Sequence, residues 1–137
     1  MFLDANILFS AAKSDGAVRE LLRMLMHAGH ECLADDFVVT EARRNLLVKG
    51  PQALKEFEAL ITRMKVSPAQ TPDPSMKETG WLPEKDRPVL CAAIRWRCDV
   101  LVTGDRTHFG AGYGKVFGGV TIHSPQSLLS ALWPSSP

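Results

Sequence analysis

Apolar positions along the chain follow two rhythms. Short apolar runs without alternation occur at "FLD" (2–4), "ECLA" (31–34), "DVLVTGD" (99–105) and "VTIH" (120–123). Runs of this length predict short strands buried on both faces. Between them the period becomes helical. In "DGAVRELLRMLMHAGH", Val18, Leu21, Leu22 and Leu25 recur at i, i+3, i+4 and i+7 and share one face. Ser14 or Asp15 can cap that helix, and Gly29 suits its stop. "NILFSAAK" predicts a short helix before it. In "DDFVVTEARRNLLVKGP", Val39, Ala42 and Leu46 share one side, with Asp35 or Asp36 as N-cap and Gly50-Pro51 as the end. "PQALKEFEALITRMKV" predicts a helix over 51–66, with Leu54, Phe57, Ile61 and Met64 aligned and Pro51 at an early position. "DRPVLCAAIRWRC" predicts a helix with Asp86 at its cap, and "SPQSLLSALW" a closing helix capped by Ser124.

Two stretches carry neither rhythm. Residues 67–85 hold Pro68, Pro72, Pro74 and Pro83, four of the nine prolines, and predict a surface crossing or flap. Residues 106–119, "RTHFGAGYGKVFGG", predict a glycine-rich loop. The alternation of strands and helices predicts an α/β fold of three layers, α/β/α, around a parallel sheet of four to five short strands. Ligands of such sheets sit beyond the carboxyl ends of the strands.

The 137 residues suit one domain over 1–137. A net charge of +1 provides no general basicity, so a polyanion must be held by a local patch or through metal ions. Three cysteines without a CxxC pair argue against a disulfide framework or a zinc site and fit a reducing cytoplasm. No apolar run reaches the roughly 18 residues of a membrane span. "MFLDAN" carries an acid at its fourth residue and no charged leader, so no signal peptide is expected.

The candidate chemistry is acidic. Asp4 and Asp105 each close a strand, which sends two carboxylates to one sheet edge. Glu41, on the helix after the second strand, and Asp86, before the strand that ends in Asp105, can join them. Converging carboxylates repel, and some would take up protons unless a cation is present. Oxygen-rich clusters suit hard divalent ions, and such sites drive phosphodiester hydrolysis.

Four pieces in order resemble the PIN domain, a family that includes the toxin ribonucleases of VapBC toxin–antitoxin pairs. "FLDANIL" resembles its opening Asp-x-Asn motif, and "VVTEARRNL" its helical Glu segment. "DRPVLCAAI" resembles its third acid with a small-residue helix, and "LVTGDRTHF" its last acidic strand end. The resemblance implies a ribonuclease dependent on Mg²⁺ or Mn²⁺, with Asp4, Glu41, Asp86 and Asp105 as both catalytic and metal-holding acids. Asn6 and Thr103 would orient those acids. It also implies a strand order of 3-2-1-4-5, an RNA substrate, a homodimer and a cognate antitoxin. Two departures stand out. Few residues precede the first Asp, which clips the first strand. Thr107 and His108 occupy positions where some members carry a further acid, so one strongly held ion is expected rather than two.

Each residue also has a plainer reading. Asp86 could only cap its helix, a role worth roughly 0.5–2 kcal/mol. Asp105 could be a turn residue, and Glu41 a solvated one. His108 could be a loop histidine or contact RNA phosphate or a product. Arg43, Arg44, Arg87 and Arg106 form either a solvated surface or a grip on RNA phosphates. "GAGYG" lacks the full dinucleotide fingerprint and reads as loop. Trp81 could pack or stack a base. The expected function is a divalent-metal-dependent endoribonuclease, of the kind found as toxins. The alternative is a non-catalytic RNA- or protein-binding module with the same fold. A phosphate-signalling receiver would need a lysine after the last strand, where the chain reads "VTIHSPQ".

Overall fold

Six short strands form one sheet in the computed structural model, which describes residues 1–134. They are β1 (Phe2–Leu3), β2 (Leu33–Asp35), β3 (Lys65–Ser67), β4 (Val100–Val102), β5 (Val116–Phe117) and β6 (Val120–His123). Their order is β3-β2-β1-β4-β6-β5, parallel throughout except for the antiparallel β5–β6 pair. With β5 set aside, the remaining five follow the 3-2-1-4-5 order. Seven helices flank the sheet in the three-layer arrangement: α1 (Ala5–Lys13), α2 (Ala17–His27), α3 (Asp36–Lys49), α4 (Leu54–Thr62), α5 (Arg87–Arg95), α6 (Arg106–Phe109) and α7 (Pro125–Leu132). None of the described helices is long and apolar enough to cross a membrane.

The short first strand is paired on both sides. Phe2 aligns with Leu33 on one side and Leu101 on the other, and Leu3 aligns with Val102. The Leu33 amide donates to the Met1 carbonyl at 2.8 Å, and the Asp4 amide to the Val102 carbonyl at 3.0 Å, so the ladder extends past both ends. Phe2, Leu3, Leu101 and Val102 are completely buried, as a central parallel strand pair requires. Truncating Phe2 to Ala would cost about 3–5 kcal/mol on the usual scale for buried aromatics.

Four expectations need correction. The helix expected over 51–66 is a 3₁₀ turn at Pro51–Ala53 followed by α4, which stops at Thr62; Lys65–Ser67 forms β3 instead. This edge strand buries only Ser67, so tertiary pairing with β2 overrides a helical period that runs on through Met64. The loop expected over 106–119 contains α6, a 3₁₀ turn at Gly110–Gly112 and β5. Gly118 and Gly119 both have positive φ, 57° and 84°, and form the two-residue turn of a β-hairpin. That hairpin takes the strand count beyond four or five. Neither Ser14 nor Asp15 caps α2; Gly16 stands at its N-cap, and Asp15 pairs with Arg23 at 3.2 Å.

Other termini follow the sequence. Asp35 caps α3, Ser124 and Ser127 form a reciprocal capping box on α7, and Gly29 at φ 88° closes α2. The proline-rich crossing is pinned by Trp81. Its ring stacks on Phe117 at 4.8 Å and meets Phe109 edge-on, and its Nε1 donates to the Glu78 carbonyl at 2.9 Å.

Candidate functional site

The site grows out of the carboxyl ends of β1 and β4. β1 ends at Leu3, and Asp4 becomes the N-cap of α1. One Asp4 oxygen accepts the Ala5 amide at 2.7 Å. The other accepts the Thr103 hydroxyl at 2.8 Å and Asn6 Nδ2 at 3.3 Å. A carboxylate offers about four acceptor positions, so three bonds hold Asp4 in place and leave one position open. Thr103, fully buried just beyond β4, also accepts the Asp105 amide at 3.2 Å. Asn6 Oδ1 accepts the Gly104 amide at 2.8 Å, which fixes the amide orientation and ties the two strand ends together.

Asp105 caps α6. Its Oδ1 accepts the His108 amide at 3.1 Å, and its Oδ2 lies 2.8 Å from His108 Nδ1. Asp86 stands at the N-cap position of α5 yet makes no capping bond, so the plain capping reading does not describe it. Its Oδ2 is buried without a hydrogen-bond partner. His108 Nδ1 approaches that oxygen to 3.1 Å, but one ring nitrogen carries at most one proton, and Asp105 is the nearer acceptor.

Asp4, Glu41, Asp86 and Asp105 line one cleft of about 380 Å³ together with Asn6, Asn45, Lys49 and Lys85. Burial and crowding show in the proton affinities of Asp4 and Asp86. Burial pushes the Asp4 carboxyl from 3.8 up to about 6; the Thr103 and Ala5 bonds oppose the rise, and the nearby charges of Glu41 and Asp86 add to it. Burial also raises Asp86, with Asp105 pushing in the same direction and His108 against it. Negative charge in this cleft is costly, and a cation would relieve it.

A family model for the PIN domain matches residues 1–107. The chain belongs to the PIN domain family. The matched residues include all four acids. One solved chain similar to it comes from the structure titled "Crystal structure of VapBC2 from Rickettsia felis bound to a DNA fragment from their promoter". The two share the fold with a TM-score of 0.62 at 15% identity, over 90% of this chain and 96% of that one. No curated protein matches the sequence.

The donor set of this PIN domain suits a divalent ion. Single ligand atoms of Asp86, Asp105 and His108 all lie within 4.8 Å of one another, and the unpartnered Asp86 oxygen is among the groups an ion would satisfy. Asp4 and Glu41 line the cleft with Asp86 and Asp105 but stand outside that tight group, and His108 joins the group from behind the cleft wall's two aspartates. His108 is therefore part of the cluster, where the sequence pointed only to a loop histidine or a phosphate contact. Asn45, Lys49 and Lys85 were also missed, although Asn45 and Lys49 repeat at i+4 and i+8 from Glu41.

The arginines divide. Arg43 is occupied with Glu58 at 2.8 Å and lies over the Phe57 ring. Arg87 donates to the Leu82 and Gly80 carbonyls at 2.9 and 3.3 Å, bracing the crossing before α5. Arg44 lines a shallow depression that shares Phe37 and Glu41 with the acidic cleft. Arg106 is exposed beside Asp105.

Proposed function

We propose that this PIN domain is a divalent-metal-dependent endoribonuclease that hydrolyses RNA phosphodiester bonds and acts as the toxin of a toxin–antitoxin pair. One observation carries the reading: acids delivered by four separate elements line a single cleft, and one of their oxygens is buried without a partner. Asp4, Asp86 and Asp105, with Glu41, would hold Mg²⁺ or Mn²⁺. A bound divalent ion lowers the pKa of water and steadies the leaving oxygen of an in-line displacement.

The chain's own groups supply the rest. Thr103 favours the charged form of Asp4 through its hydroxyl bond, and Asn6 helps aim the carboxylate. Lys49 and Lys85, on the cleft wall, offset phosphate charge where the acids would repel it. Arg44 and Arg106 grip backbone phosphates. RNA as substrate, a cognate antitoxin as inhibitor and a second copy of the chain as dimer partner follow from the family resemblance. A reducing cytoplasm fits three buried, free cysteines.

The test is cleavage of RNA by purified protein in Mn²⁺ or Mg²⁺. Wild type should cut, while EDTA and Asp105→Asn should each abolish cutting. Wild type that binds RNA equally with and without EDTA and never cuts it would sink the nuclease reading and leave the binding module.

A further inference from the structure

We propose that His108 supplies a nitrogen ligand to the metal centre, and that this donor makes the site favour Mn²⁺ over Mg²⁺. The inference rests on the metal-dependent reading above and adds the donor set to it.

The local fold holds the ring in place. Asp105 caps the one-turn helix α6, so His108 follows it at i+3 on the same face. The Asp105 carboxylate takes the His108 amide with one oxygen and faces Nδ1 with the other. Asp86 reaches the same nitrogen from the N-cap of α5, a separate element. Nδ1 thus stands 2.8 Å from one carboxylate oxygen and 3.1 Å from another. Neighbouring ligand atoms of an octahedral ion with bonds near 2.1 Å are about 3 Å apart. The nitrogen already has that spacing from each of the two oxygens, and the three ligand atoms lie within 4.8 Å of one another.

A purely hydrogen-bonded histidine explains less. Its Nδ1 proton can serve Asp105, but it cannot also serve Asp86 Oδ2, which stays buried and unpaired. A shared cation satisfies all three atoms at once, with the ring proton on Nε2 and the Nδ1 lone pair directed inward. Carboxylates alone suit Mg²⁺, Ca²⁺ and Mn²⁺, whereas imidazole suits transition ions. Mg²⁺ also gives up its waters reluctantly. The imidazole therefore adds more to Mn²⁺ affinity than to Mg²⁺ affinity.

Pulsed electron paramagnetic resonance on Mn²⁺-loaded protein reads the ligand directly. Wild type should show nitrogen hyperfine coupling from a directly bound imidazole, and His108→Gln should lose it. Calorimetry should show the Mn²⁺-to-Mg²⁺ affinity ratio falling by roughly tenfold in His108→Gln. His108→Asp, with an all-oxygen set, should move the preference toward Mg²⁺. Circular dichroism confirms that the variants fold. Mn²⁺ bound by wild type without nitrogen coupling, or an unchanged ratio in His108→Gln, would overturn the inference and leave the metal-dependent reading intact. Wild type that binds no Mn²⁺ would overturn both.

Discussion

Thr103 donates its hydroxyl to Asp4 Oδ2 at 2.8 Å, joining residues 99 positions apart at the carboxyl ends of two adjacent strands. The bond favours the charged form of Asp4 and works against the burial that raises its proton affinity. Thr103→Val keeps the shape and removes the donor. It should cost about 1–3 kcal/mol at pH 7.5. The loss should shrink below about pH 5, where Asp4 is protonated in the folded state. Urea melts at the two pH values check this; an equal loss at both would separate Thr103 from the charge on Asp4.

Asp4 itself sets a pH dependence with an unusual sign. Its carboxyl moves from 3.8 to about 6 on folding, so the folded chain holds the proton more tightly than the unfolded one. Below about 3.8 both states are protonated. Between 3.8 and 6 the unfolded chain ionises first, and stability falls as pH rises. Above about 6 the full cost stands, on the order of 3 kcal/mol. An NMR titration of the Asp4 carboxyl in chelated protein should inflect near 6, and Mn²⁺ affinity should weaken as pH drops through the same value. An inflection near 3.8 would contradict the burial argument.

Two arginines next to acids should behave differently. Arg87→Ala removes two donations to carbonyls of the crossing and should cost about 1–2 kcal/mol of stability. It should leave the salt dependence of RNA binding unchanged. Arg106→Ala should stay within about 0.5 kcal/mol in stability. It should lower the slope of log affinity against log salt by roughly 0.7, the share of one single-strand phosphate contact. Anisotropy titrations in EDTA at several salt concentrations, beside thermal melts, distinguish the two. Reversed effects would exchange their roles.

The fold was legible wherever one period was long or one cap was strong. Leu21, Leu22 and Leu25 on α2, Asp35 at α3 and Ser124 at α7 stand where their chemistry places them. β3 was not legible, because an edge strand that buries only Ser67 carries no apolar signal of its own. β5 is two residues long, and its only mark was the Gly118-Gly119 turn. The cleft was half legible. Asp4 and Asp105 announce themselves by ending buried strands, and a helix offset brings Glu41 in. His108 does not announce itself, because its place depends on a one-turn helix and on Asp86 arriving from another element. Asn45 and Lys49 share Glu41's face, but on sequence alone a polar helix face is most simply a solvated one.

The most direct test of the account is a calorimetric titration of Mn²⁺ into wild type and Asp86→Asn at neutral pH. Asp86 makes no capping bond and leaves Oδ2 unpaired, so the variant removes charge while losing little that holds the fold. The account predicts a clear binding isotherm for wild type, weakened by roughly tenfold or more in Asp86→Asn. Identical isotherms, or no heat from wild type, would contradict it.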